Sequence, residues 1–231
     1  MPPTLETSKT NSLLVPLAIV VAGAMIAGAV YFGGSKSSLK PSPTSNEAAE
    51  VEPISAGDHI LGDPKAPVIV IEYSDLECPF CKVFHSTMHQ IYTEYGGKVA
   101  WIYRQFPIAQ LHSKAIKESE ASECAYDQGG NTAFWKYIDR VFELTDSNNS
   151  LDLTLLPQIA SDLGLDVTTF NSCLNTGKFT EKISKDVEKA VLAGARGTPY
   201  SVILTKDGKQ IPINGAEPIE EVRIKINGAL K

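Results

Sequence analysis

The stretch Asp75-Leu76-Glu77-Cys78-Pro79-Phe80-Cys81 decides how the rest of the chain is read. A mostly apolar run, Val68 to Tyr73, leads into it, and a helix-like pattern, Lys82 to Tyr95, leaves it. The two periodicities predict a strand and a helix with the cysteine pair at the helix N-terminus. Backbone N–H groups without intrahelical partners and the positive end of the helix dipole meet there. Both favour a charged sulfur. Cys78 is therefore expected to have a lowered pKa and to be a nucleophile near neutral pH.

Working outward, Val83, Phe84, Thr87, Met88, Ile91 and Tyr95 fall on one stripe of the helix, and Gly96-Gly97 ends it. Lys98 to Phe106 alternates as a second strand, stopped by Pro107. A strand, helix and strand of these lengths form a right-handed βαβ unit with parallel strands. Residues 113 to about 175 then read as an all-helical insertion. It comprises Ser113 to Tyr126, a break at Gly129-Gly130, a stripe of Phe134, Trp135, Ile138, Val141 and Phe142, a short helix Leu155 to Leu163, and one capped by Asp166. A longer amphipathic helix, Lys178 to Ala193, ends in Gly194. Tyr200 to Thr205 and Gln210 to Ile213 are strands joined at Asp207-Gly208, a type I′ hairpin signal. Pro218 to Asn227 is a last helix, with Gly228 just past its end.

The chain has 231 residues, a net charge of −6 and a pI of about 5.3. No basic cluster supports nucleic-acid binding, and that class is set aside. Leu13 to Phe32 is twenty residues without a charge, long enough to span a bilayer. A cleaved signal peptide is the rival reading of this stretch, because Ala27-Gly28-Ala29 could form a processing site. Residues 1–12 form a tail, 13–32 a transmembrane anchor, 33–57 a Gly-, Ser- and Pro-rich tether, and 58–231 the folded domain. A flexible tether of that length has a mean span of roughly 25–30 Å. The lysine count, Lys9 before the span and Lys36 and Lys40 after it, leans slightly against export. A disulfide-handling pair is most useful in an oxidising compartment. On that ground the expectation is a single-pass cell-membrane protein with its domain outside the cytoplasm.

A Cys-x-x-Cys beside a βαβ unit is a redox signature of thioredoxin-like proteins. The lead-in Gly62-Asp63-Pro64, the Cys78-Pro79-Phe80-Cys81 motif and Gly197-Thr198-Pro199 before a strand occur in order, with Glu123-Cys124-Ala125 and Phe170-Asn171-Ser172-Cys173-Leu174 between them. From Asp58 onward the chain resembles the DsbA-like thiol:disulfide oxidoreductases, which have a thioredoxin-like α/β fold with an inserted helical domain. The resemblance implies an exported enzyme whose substrates are reduced or misoxidised exported proteins, with a quinone-linked membrane reoxidant as partner. It implies a cis Thr198–Pro199 peptide that, together with Pro79 and Phe80, contacts the bound client as an added strand. It also implies that Glu72 is a partly buried carboxylate that exchanges a proton with Cys81.

In an exported protein Cys124 and Cys173 are expected to form a structural disulfide, closing a loop worth roughly 4 kcal/mol. Two buried thiols acting as small apolar residues are the other reading. A reductase or isomerase on the same fold is open, because direction depends on potential and partners. A non-enzymatic, membrane-tethered peptide-binding module is the third possibility. No cofactor or metal is expected. Cys78, Cys81, His85 and His89 mimic zinc spacing, but on a helix Cys81 and His89 lie about 12 Å apart, beyond one tetrahedral ion. His85 and His89 are read as helix-surface residues.

Overall fold

Five strands form one sheet: β1 (His59–Leu61), β2 (Val68–Ser74), β3 (Val99–Gln105), β4 (Tyr200–Thr205) and β5 (Gln210–Asn214). Their spatial order is β1-β3-β2-β4-β5. The computed structural model describes residues 51–231. The expected tail, anchor and most of the tether lie outside the described residues. Among the described residues, no helix is long and apolar enough to cross a membrane.

β2 and β3 are parallel, from Val68 opposite Val99 to Ser74 opposite Gln105, and every other pairing is antiparallel. The crossover helix α1 (Pro79–Tyr95) makes the parallel pairing possible, since parallel strands need a long connection. Both strands are buried along their whole length. Successive residues alternate between two cores, as the period of two requires. Val68, Val70, Val99, Trp101 and Tyr103 face one core, while Ile69, Ile71, Tyr73, Ala100 and Ile102 face the other.

The helices that follow are α2 (Ala115–Leu144), α3 (Leu156–Asp162), α4 (Val167–Thr176), α5 (Thr180–Leu192) and α6 (Ile219–Ala229). The insertion has no core of its own. Phe134, Tyr137, Ile138, Val141, Phe142 and Phe170 share one cluster with Phe84, Met88 and Ile91 of α1 and with the first sheet face. Asp166 caps α4, its side chain accepting from the Thr169 N–H at 2.6 Å.

Five local features differ from the expectation. β1 was not anticipated, because three residues are too few to show a period of two. Residues 51–57 join the folded domain and not the tether: Val51 is buried and the Glu52 and Pro53 carbonyls accept from Arg104, which also pairs with Asp58. A polar average over a 25-residue window conceals one docked valine. The Asp207-Gly208 turn is not type I′, which needs positive φ at both residues; only Gly208 has it, at 84°. The connection instead closes through the Gly208 N–H on the Thr205 carbonyl and the Lys209 N–H on the Thr205 hydroxyl. Gly228 lies inside α6 and not beyond it. The Gly129-Gly130 break is a kink within one long helix, where Gly130 alone leaves helical conformation at φ 61°.

Candidate active site

β2 delivers the chain to a turn in which the Cys78 N–H donates to the Asp75 carbonyl at 3.2 Å. Cys78 is the N-cap of α1, with extended φ/ψ and Pro79 at the first helical position. Its side chain makes no cap hydrogen bond, so the sulfur is not consumed by the helix end. Two buried acids hold the turn. Asp75 accepts from the N–H groups of Glu77 (2.8 Å) and Ile108 (2.7 Å) and faces His112 Nδ1 at 2.8 Å. Glu77 accepts from the Thr145 hydroxyl and from the N–H groups of Asn149 and Leu151. The loop so gripped holds three consecutive non-glycine residues at positive φ, Ser147, Asn148 and Asn149.

Cys78 and Cys81 are both thiols, with Cys78 5% exposed and Cys81 fully buried. Cys78 Sγ lies 3.4 Å from the Thr198 carbonyl oxygen, at the cis Thr198–Pro199 peptide. Cys81 Sγ accepts from the Asp75 N–H at 3.4 Å. A hydrogen bond from Cys81 lowers the Cys78 pKa to about 6, aided by the Thr198 side chain and the N–H groups of Cys81 and Phe80, against the opposing effect of burial. Burial, and then the Cys78 charge, push the Cys81 thiol well up. The pair therefore contains one thiolate and one thiol near neutral pH.

Glu72 lies within β2, fully buried. Trp101 Nε1 donates to its Oε2 at 2.9 Å, and its Oε1 has no partner among the described residues. Burial raises its pKa to about 7, and its charge is one of the influences that raise Cys81. A carboxyl near its midpoint at neutral pH, electrostatically coupled to a thiol, can take up or release that thiol's proton.

Pro79 is half-buried, Phe80 is 64% exposed, Thr198 is half-buried and Pro199 is buried. Val83, three residues beyond Phe80 and on the same helix face, is also exposed. Cys124 on α2 and Cys173 on α4 are joined by a disulfide with Cα atoms 5.9 Å apart.

Sequence reasoning missed Trp101, Asp75, Glu77 and His112. Trp101 reaches Glu72 only because the β2–β3 register sets Val70 opposite Trp101 and Glu72 opposite Tyr103. His85, expected on the helix surface, also needs correction, whereas His89 is partly exposed as expected. His85 is buried against Trp101 and Phe142, and both imidazoles meet Asp139 of α2.

The family model described as Thioredoxin matches residues 55–223. The chain belongs to the thioredoxin family. Among solved structures, this thioredoxin-family chain is similar to Pseudomonas aeruginosa DsbA2, with a TM-score of 0.64 and 27% identity over 78% of this chain and 97% of that one. It is also similar to Wolbachia pipientis alpha-DsbA1, with a TM-score of 0.65 and 30% identity over 77% and 92%. Oxidised BdbD from Bacillus subtilis shares the fold at a TM-score of 0.68, with 22% identity over 80% and 99%. Curated relatives include the Na(+)/H(+) antiporter NhaA 3 of Salinispora tropica, 33% identical over 142 residues, or 62% of this chain and 21% of the relative. The chain thus spans about a fifth of the length of the antiporters it matches.

Proposed function

We propose that this chain is a membrane-tethered thiol:disulfide oxidoreductase that introduces disulfides into exported proteins through Cys78 and Cys81. The observation that carries the reading is the asymmetry of the pair. Cys78 is the cysteine whose thiolate is stabilised, first by the Cys81 hydrogen bond, and Cys81 is a buried, high-pKa thiol raised in part by the Glu72 charge. In the oxidised enzyme a client thiolate attacks Cys78 Sγ. The Cys78–Cys81 bond breaks, a client–Cys78 mixed disulfide forms, and Cys81 leaves as a thiolate that Glu72 protonates. The client's second thiolate attacks the client sulfur and expels Cys78. The client loses two electrons and the enzyme gains them. The Thr198 backbone and the apolar face of Phe80 and Val83 are the surface on which the client strand lies. Reoxidation falls to a membrane partner, quinone-linked in this reading, and the span at 13–32 holds the domain beside it outside the cytoplasm.

A Cys78 pKa of about 6 falls between the values of about 7 for thioredoxin and about 3.5 for DsbA. Phe80 has no ring N–H to give the thiolate. The potential should therefore lie between about −270 and −120 mV, on the oxidising side of thioredoxin. Equilibration of the full chain in glutathione buffers measures it. A value near −270 mV would instead favour a reductase. Incubated with a disulfide-bonded client, Cys81→Ser should accumulate mixed disulfides, because the Cys78 thiolate displaces one client thiolate and no Cys81 is left to release the other, and Cys78→Ser should not; the opposite pattern reverses the two roles.

A further inference from the structure

We propose that His85, His89 and Asp139 form a binding site for a borderline divalent transition-metal ion, with Zn2+ as the reference ion. His85 and His89 are one turn apart on α1, so their rings share a face, and α2 brings Asp139 to that face. His85 Nε2 and His89 Nε2 lie 2.7 and 2.9 Å from the same oxygen, Asp139 Oδ1, and 3.1 Å from each other. A tetrahedral ion with bonds of about 2.0–2.1 Å spaces its ligands by about 3.3 Å. The three atoms need open only slightly to accept one. His89 and Asp139 have room to do so, with side chains 39% and 37% exposed. His85 provides the fixed corner, packed between Trp101 and Phe142.

Hydrogen bonding alone serves this triangle poorly. If both Nε2 atoms carry protons toward Oδ1, two N–H groups crowd each other at 3.1 Å; if one does not, one imidazole faces the carboxylate with a lone pair. A single cation replaces both protons and satisfies all three atoms. Neutral imidazoles and an ionised carboxylate are the ligating forms. Two nitrogens and one oxygen select Zn2+, Co2+, Ni2+ or Cu2+ over Mg2+ and Ca2+. A pocket of about 420 Å3, lined also by Lys82, Ser86 and Glu143, opens the fourth position to solvent. This set excludes the cysteines, so the distance that rules out a four-ligand site along α1 does not apply. His85 Nδ1 is buried without a partner among the described residues. Backing groups of that kind strengthen metal binding by about 10–100-fold, so this site should exchange its ion and not retain it permanently.

The test is calorimetric titration of Zn2+ into the full chain, without a histidine tag and with Cys78–Cys81 oxidised so that its thiols cannot chelate. One ion should bind per chain, and tryptophan emission should change with it, since Trp101 lies about 5 Å from both imidazoles. His89→Ala should weaken binding at least tenfold and remove the emission change. Asp139→Asn, which preserves shape, should weaken it as well. Absence of binding to the parent chain, or binding that both variants retain at full strength, would overturn the site.

Discussion

At the scale of single residues, Glu72 makes the sharpest prediction. Its pKa of about 7 and its Trp101 hydrogen bond fit the proposed role of a proton carrier, held in place by an indole. Glu72→Gln keeps an acceptor for Trp101 and removes the proton. Client oxidation should slow by on the order of 10²-fold, and the inflection near pH 7 in the rate profile should disappear. A pH profile that superimposes on that of the parent would assign the inflection to another group. Cys78, Cys81 and Glu72 were legible in the sequence because motif and strand position lie close together along the chain. Trp101 was not, because register sets its partner. Asp139 was not, because it sits 50 residues from His89 and is brought there only when α1 packs on α2.

At the scale of elements, the turn before α1 depends on two buried acids, Asp75 and Glu77, to which the sequence alone assigns no role. Glu77 accepts one hydroxyl and two backbone N–H groups from the loop of residues 145–151. Glu77→Ala would strand those buried donors and cost about 2–4 kcal/mol. Hydrogen exchange at Asn149 and Leu151 should accelerate before exchange in β2 and β3 does. Equal acceleration everywhere would mean that the loop is not a separate unit. Helices and their caps were readable where one residue type does one job, as Asp166 does. β1 and the Thr205–Lys209 connection were not, since both rest on pairing that short segments do not advertise.

At the scale of the whole molecule, the Cys124–Cys173 disulfide ties α2 to α4. Alkylation without reductant should leave both cysteines unmodified, and labelling of both would show that they are thiols in solution. Stability should also depend on pH with opposite signs from different groups. Glu72 and Glu118 have pKa values raised from 4.5 to about 7 and about 9, first by burial. The stability they contribute is complete below pH 4.5 and is lost as pH rises through those values. Cys78, lowered from 9 to about 6, acts only in the reduced form. Its contribution is lost as pH falls through 6 and is complete above 9. The stability of the reduced protein relative to the oxidised one should therefore rise from pH 6 to pH 9, with Cys78 contributing roughly 1.4 kcal/mol at pH 7. Parallel denaturation curves of the two forms across that range would refute the low Cys78 pKa.

The helical segment and the sheet fill one another's interior, since Phe84, Met88 and Ile91 of the cysteine-bearing helix pack in the same cluster as Phe134, Tyr137 and Phe170. Deleting residues 115–176 would not reveal a smaller thioredoxin. It would strip the redox helix of one wall and leave a chain that collapses without a unique native packing. Insertion and catalytic frame are thus heritable only together, and a functional transplant into another scaffold must carry both.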